Sequence, residues 1–164
     1  MNEEFSRYHL RRSEKEIKER QEIERIIKEG KYAVLALSKD CQPYVLTLSY
    51  GYDFENETFF FHTAKKGMKI DFIKANPKAS LTVIEDLGYV QNECEHRFKS
   101  VVVFGDIEIV ESYDEKVFAL NVMFEHLEKN PDEMRKKHLE NRQKIENVCI
   151  LKMKANKLTA KESS

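Results

Sequence analysis

The sequence predicts a mainly β fold with α: a six-stranded antiparallel barrel, closed or nearly closed, with its helices outside. Three observations carry that prediction. Six short segments rich in β-branched and aromatic residues are set off by polar turns, one small helical pattern interrupts them after the third, and a helical pair precedes the last. With no internal repeat or linker, the 164 residues suit a single domain over 1–164, with 1–12 as a flexible or partner-contacting N-terminal segment.

Residues 13–29, "SEKEIKERQEIERIIKE", place Ser13 and Glu16 in capping-box spacing and Ile23, Ile26 and Ile27 at helical intervals, predicting one amphipathic helix that ends at Gly30. "YAVLALS" (32–38) and "PYVLTLSYGYD" (43–53) flank the polar turn "KDCQ" and form a hairpin; Pro43 can begin a strand but not sit inside a central one. After "FENE" comes "TFFFHT" (58–63), whose three consecutive Phe residues suit a strand covered on both faces or lying at an interface. The period then changes. Met68, Ile70, Phe72 and Ile73 fit a short helix that Asn76 and Pro77 stop. "KASLTVIED" (78–86) is a strand, 87–96 an aperiodic excursion, and 97–112 a long strand in which Gly105 marks a bulge or bend. Residues 114–129 and 132–146 are read as helices, with Asn130 as cap and Pro131 in the first helical position. "NVCILKMKA" (147–155) is the last strand, followed by a polar tail.

Composition excludes several classes. Hydrophobic residues make up 41% and charged residues 35%, a globular balance on the polar side, and no apolar run reaches the roughly 18 residues of a membrane helix. Net charge is -1 from 28 basic and 29 acidic side chains, so no overall field draws nucleic acid or a membrane surface. The three cysteines, Cys41, Cys94 and Cys149, are widely spaced and odd in number, which argues for reduced thiols. The N-terminus does not read as a secretory signal, so a cytoplasmic location is expected.

A local anion site stands out against that neutral background. His62, Thr63, Lys65, Lys66 and Lys69 crowd one strand-to-helix junction. A helix start offers free N–H groups and partial positive charge, Thr63 can cap it, and lysines three or four apart share a face, so a phosphate could be held there. A solvated basic turn would give the same spacing.

Three stretches, "LALSKDCQPYVLTLSYGYD", "FFFHTAKKGMKIDFIKANPKASLTVIED" and "RFKSVVVFGDIEIVES", in this order and spacing, give nearly the whole chain from Ile17 onward a resemblance to the FMN-binding split-barrel proteins related to pyridoxamine 5'-phosphate oxidase. The nearest branch is that of 5-nitroimidazole reductases or resistance proteins. The resemblance implies a homodimeric six-stranded split barrel with two FMN sites shared across its interface. It implies that the backbone of Leu46, Thr47, Leu48 and Ser49 lies along the flavin ring, with Thr47 where many relatives have proline. Phe61, His62 and Thr63 would lie beside the flavin and ribityl chain, and Lys66 and Lys69 would contact the phosphate. Ser100 and Val101 would approach the cofactor from the partner subunit, and Lys161 is a weaker candidate in an ending where Ala160 replaces a frequent glycine.

The function implied is an FMN-dependent oxidoreductase passing electrons from NAD(P)H or another donor to a small organic acceptor, nitroaromatic compounds included. His62 is the candidate proton donor. No Gly-rich dinucleotide fingerprint occurs, so a nicotinamide would bind transiently at the flavin. Pyridoxamine 5'-phosphate oxidation ranks lower, because the arginine-rich substrate signature is missing. A non-catalytic haem or flavin binder, with His62 or His96 as axial ligand, is the third reading. Cys94 and His96 form weak metal candidates in C-x-H spacing, to which His9 could add a ligand if the N-terminal segment folds over. His126 and His138 are expected on solvated helical surfaces, and Tyr50, Tyr52 and Tyr89 in packing.

Overall fold

The computed structural model describes residues 12–163. The expected roles of segment 1–12 (Arg12 apart) and of His9 therefore lie outside the described residues. Strands β1 (Tyr32–Lys39), β2 (Gln42–Asp53), β3 (Thr58–Thr63), β4 (Lys78–Val90), β5 (Glu95–Ile109) and β6 (Cys149–Ser163) close into an antiparallel barrel in the order β1-β2-β3-β6-β5-β4. Residues that alternate inward fill it: Leu35, Phe59, Phe61, Leu81, Val101, Val103, Leu151 and Met153 are all buried.

Helices attach at three places. Helix α1 (Arg20–Glu29) seals one end by burying Ile26 and Ile27, and Tyr50 Oη donates to the Ile27 carbonyl at 2.5 Å. Arg25 fixes the same helix to the barrel through a fork on Glu85, while Lys99 donates to Glu22 at 2.5 Å. Helix α2 (Met68–Ala75) follows β3 at the opposite end and buries Ile70, Phe72 and Ile73. Helix α3 (Tyr113–Leu127), capped by the Ser112 hydroxyl accepting from the Glu115 amide, lies along the outside of β2 and β3. Gly51 permits that approach, since a Cβ there would stand 2.7 Å from the Met123 backbone. Beneath α3, Phe60, Ile150 and Val110 join Ala119, Leu120, Met123, Phe124 and Ile145 in a second apolar cluster.

Several boundaries differ from the sequence reading. The helix expected over 13–29 forms only over Arg20–Glu29, ending at Gly30 as expected; residues 13–19 are instead a 3-10 turn at Ser13–Lys15 and extended chain, in which Glu16 bridges to Lys161 and Ile17 is buried against the core. Ser13 caps nothing by its side chain, because tertiary pairing of this segment overrides its helical spacing. The excursion at 87–96 is a continued β4–β5 hairpin, with a register shift between Asp86 and Gly88 that disguises the alternation. The helix expected over 132–146 is split into α4 (Pro131–Leu139) and α5 (Arg142–Asn147), where the Asn141 side chain accepts from the Lys144 amide and starts a new helix. Asn130 precedes Pro131 as expected but makes no side-chain cap. The polar tail is the second half of β6, paired with β5 out to Ser163. At Gly105 the β5–β6 register shifts, as the glycine suggested.

His126 is not solvated. Its ring is half-buried beside Tyr50 and donates from Nε2 to the Gly30 carbonyl at 2.6 Å, and burial pushes its pKa down. His138 likewise packs against Phe124.

Candidate functional site

Strand alternation sorts the expected ring contacts. Leu46 and Leu48 point inward and pack on the core, whereas Thr47 and Ser49 point outward and are exposed. Cross-strand pairing sets Thr47 beside Val34, Val34 beside Thr82, and Thr82 beside Val102. This row lies on an outer face of β2, β1, β4 and β5 from which Tyr32 (60% exposed), Val45 (59%) and Ile84 (51%) project. Such a contiguous apolar face on a barrel marks a binding or assembly surface.

His62 stands at the edge of this face. The β2–β3 ladder runs to Tyr50 and Phe61, so His62 lies one step further on the side of Ser49, pointing outward and exposed. Its ring also borders a cavity of about 200 Å³ beside α3, lined by Leu120, Phe124, Met134, His138 and Ile145. Phe61 and Val101, by contrast, are wholly buried inside the barrel and could meet a ligand only through their backbone. Ser100 is buried next to Lys161 in the β5–β6 ladder, and the Lys161 ammonium lies 5.4 Å from the centre of the Phe98 ring.

At the β3–α2 junction the chain departs from the expected geometry. Thr63 is the last residue of β3 and does not cap α2; Gly67 occupies the cap position, with φ 120° and ψ 173°. Only glycine adopts that backbone without strain, and its turn separates Lys65 and Lys66 from the helix. These two lysines therefore do not share a helical face with Lys69. Lys65 turns away, its Nζ donating to the Glu146 carbonyl at 3.1 Å. Lys66 is exposed and Lys69 half-buried, and among the described residues neither forms an ion pair, so both charges remain available to an anion.

Among the described residues, the Cys94 and His96 pair does not assemble a three-ligand group. Cys94 is exposed in a turn at φ 50°, His96 Nε2 lies 2.8 Å from Asp86 Oδ1, and among the described residues no three His, Cys, Asp or Glu side chains form a metal-sized group. Sequence reasoning missed Lys116, which is buried on α3 and donates to the same Glu146 carbonyl as Lys65. Nothing local announces it, because its neighbours come from segments far apart in the chain.

No helix among the described residues is long and apolar enough to cross a membrane. Comparison with solved structures finds a candidate 5-nitroimidazole antibiotic resistance protein of Bacteroides thetaiotaomicron at TM-score 0.76 and 25% identity, covering 90% of this chain and 86% of that one. A FAD and heme binding protein of Mycobacterium smegmatis is similar at TM-score 0.75 and 16% identity, with 92% and 74% covered. A FAD-binding protein of Mesorhizobium loti follows at TM-score 0.62 and 23% identity, with 89% and 94% covered. An uncharacterized protein of Rhizobium meliloti is 35% identical over 86 residues, which are 52% of this chain and 51% of that protein, so the match spans about half the length of this curated relative. A family model described as pyridoxamine 5'-phosphate oxidase matches residues 19–162. With its six-stranded split barrel and that match, the chain belongs to the pyridoxamine 5'-phosphate oxidase family.

Proposed function

We propose that this chain is an FMN-binding flavoprotein that works as a cytoplasmic homodimer and passes electrons from NAD(P)H or another donor to a small organic acceptor, nitroaromatic compounds included. One observation carries the reading: an uncovered apolar face, running through Val34, Val45 and Thr47, lies on the same barrel as Lys66 and Lys69, two cations that form no ion pair among the described residues. A flavin mononucleotide requires both halves of that arrangement, a flat apolar seat for its ring and positive charge for its phosphate. The residues fit the group. Thr47, Ser49 and the β2 backbone would hold the ring, Thr63, Lys66 and Lys69 the phosphate, and Ser100 with Val101 would approach from the second copy. When bound, FMN supplies the electron transfer itself. The protein's share is to orient the ring, exclude water with the apolar face of the second copy, and deliver a proton from His62.

Kinship to a candidate nitroimidazole resistance protein supports a nitroaromatic acceptor. A haem-binding reading is second, suggested by the Mycobacterium smegmatis protein and by His62 and His138 bordering one apolar cavity. That cavity, at about 200 Å³, is below the range of sites that take even a drug-sized ligand, so it would have to open for a macrocycle.

An absorption spectrum of the purified protein, before and after adding FMN, tests the assignment. Flavin bands that survive gel filtration are expected, with FMN affinity falling at least about tenfold in a Lys66→Ala/Lys69→Ala variant. A Soret band would bring the haem reading forward. Unchanged turnover in His62→Gln would remove that residue from proton delivery.

A further inference from the structure

At the end of the barrel where β3 and β5 finish and β6 begins lies a cavity of about 410 Å³ that the flavin reading does not use. Ile70, Ile109 and Val148 give it apolar walls, and three lysines, Lys65, Lys74 and Lys116, also line it. Neither Lys66 nor Lys69 lines it.

Lys116 is the informative residue. It is only 8% exposed, and its Nζ donates to the Glu146 carbonyl oxygen at 3.2 Å, the same oxygen that Lys65 reaches at 3.1 Å. Capping the last carbonyls of α5 explains where the two side chains point but leaves their charge unmatched. Among the described residues, Lys65, Lys74 and Lys116 form no ion pair. Two carboxylates line the cavity. That of Glu146 is held by Arg142 at 2.8 Å, which leaves Glu111 alone against three cations. A buried ammonium facing a neutral carbonyl recovers only part of the hydration it has lost, whereas an anion in the cavity would restore the balance.

The geometry points to a binding site for a small organic anion, with a carboxylate or phosphate head between Lys65 and Lys116 and an apolar ring or short chain against Ile70, Ile109 and Val148. Its volume falls within the range of small-molecule sites.

Cys149 lines the same cavity and is buried, so it can report occupancy. In a Cys41→Ser/Cys94→Ser background it is the last of the chain's three thiols. The modification rate of Cys149 by a disulfide reagent is measured on the protein as purified, alone and with benzoate, phenyl phosphate or neutral benzyl alcohol. Either anion should slow the reaction about tenfold at roughly ten times its Kd. The comparison between the two anions identifies the preferred head group. In Lys116→Met and in Lys65→Gln the ratio of rates with and without the anion should fall toward one. The ratio is used because both lysines themselves lower the thiol pKa against the burial that raises it. Amide chemical shifts of Val110, Tyr113 and Val148 on titration give an independent readout that needs no thiol chemistry. Equal protection by benzyl alcohol, or no protection and no shift with any probe, would overturn the site. Loss of flavin bands in step with protection would also overturn it, by making the cavity part of the cofactor site. A protein that carries no flavin yet binds the anions would sink the flavin reading and leave this one standing.

Discussion

Phe60 and Val45 both point outward from the barrel, on neighbouring strands, and their surroundings are opposite: Phe60 is buried beneath α3, and Val45 stands in the open. The chain covers the β3, β6 and late β2 side with α3 to α5, building a second core from Val110, Leu120, Phe124 and Ile150. It leaves the early β2, β1, β4 and β5 side bare, although Tyr32, Val45 and Ile84 there are equally apolar. A strand pattern states that a face is apolar; it does not state what will cover it. On the proposed function, the contrast separates residues that stabilise the monomer from residues that would meet a ligand or a second copy.

The largest expected effect lies under α3. Phe60→Ala should cost about 3 to 5 kcal/mol of unfolding free energy, read from urea denaturation, because it leaves a cavity between sheet and helix. An effect under about 1 kcal/mol would mean that α3 is not part of the cooperative fold. Next comes the sealed end, where Tyr50→Phe deletes the buried donor to the Ile27 carbonyl and should cost about 1 to 3 kcal/mol.

A smaller, pH-dependent effect is expected at the ion cluster that clamps α1. Hydrogen bonds from Arg25 and then Lys99 pull the Glu22 carboxyl down from 4.5 to about 2, and Arg25 likewise lowers that of Glu85. A carboxylate whose pKa is depressed by folding stabilises fully above its unfolded value and loses that contribution as pH falls through the folded one. Stability should thus decline between about pH 4.5 and about pH 2, and Glu22→Gln should flatten that decline while costing about 1 kcal/mol at neutral pH. Chemical denaturation repeated along that pH range measures it; an unaltered slope in the variant would place the effect elsewhere.

The smallest effect on folding is expected on the bare face. Val45→Lys should change monomer stability by less than about 0.5 kcal/mol. Its consequence should appear in sedimentation velocity as dissociation of the proposed dimer. If Val45→Lys leaves the oligomeric state untouched, the face is not a copy-to-copy interface and the comparison loses its meaning for assembly.

The parts of the fold legible beforehand were those with local causes. β1 and β2 follow from alternation and from turn residues such as Asp40 and Cys41, both at positive φ, β3 from its run of three Phe residues covered on both faces, and Pro131 started a helix as its fixed φ and missing N–H dictate. Errors fell where a distant partner outvoted local pattern. Residues 13–19 have helical spacing but are drawn into pairing at Lys161, and β6 runs on through polar residues because β5 supplies its hydrogen bonds. The lysine cluster at the β3–α2 junction was visible as composition, yet Gly67 turned Lys65 toward α5 and left Lys66 and Lys69 without an ion pair among the described residues.

By itself the sequence determined the barrel class, most strand positions, and the crowding of cations after β3, since periodicity and turn chemistry act between near neighbours. Tertiary structure alone decided which outer face is covered and which stays open, because that depends on where Gly51 lets α3 dock. It also decided that Lys116 is buried beside Lys65 over one carbonyl, an approach of groups 51 positions apart by their numbering that only the folding of α3 and α5 onto the barrel end brings about.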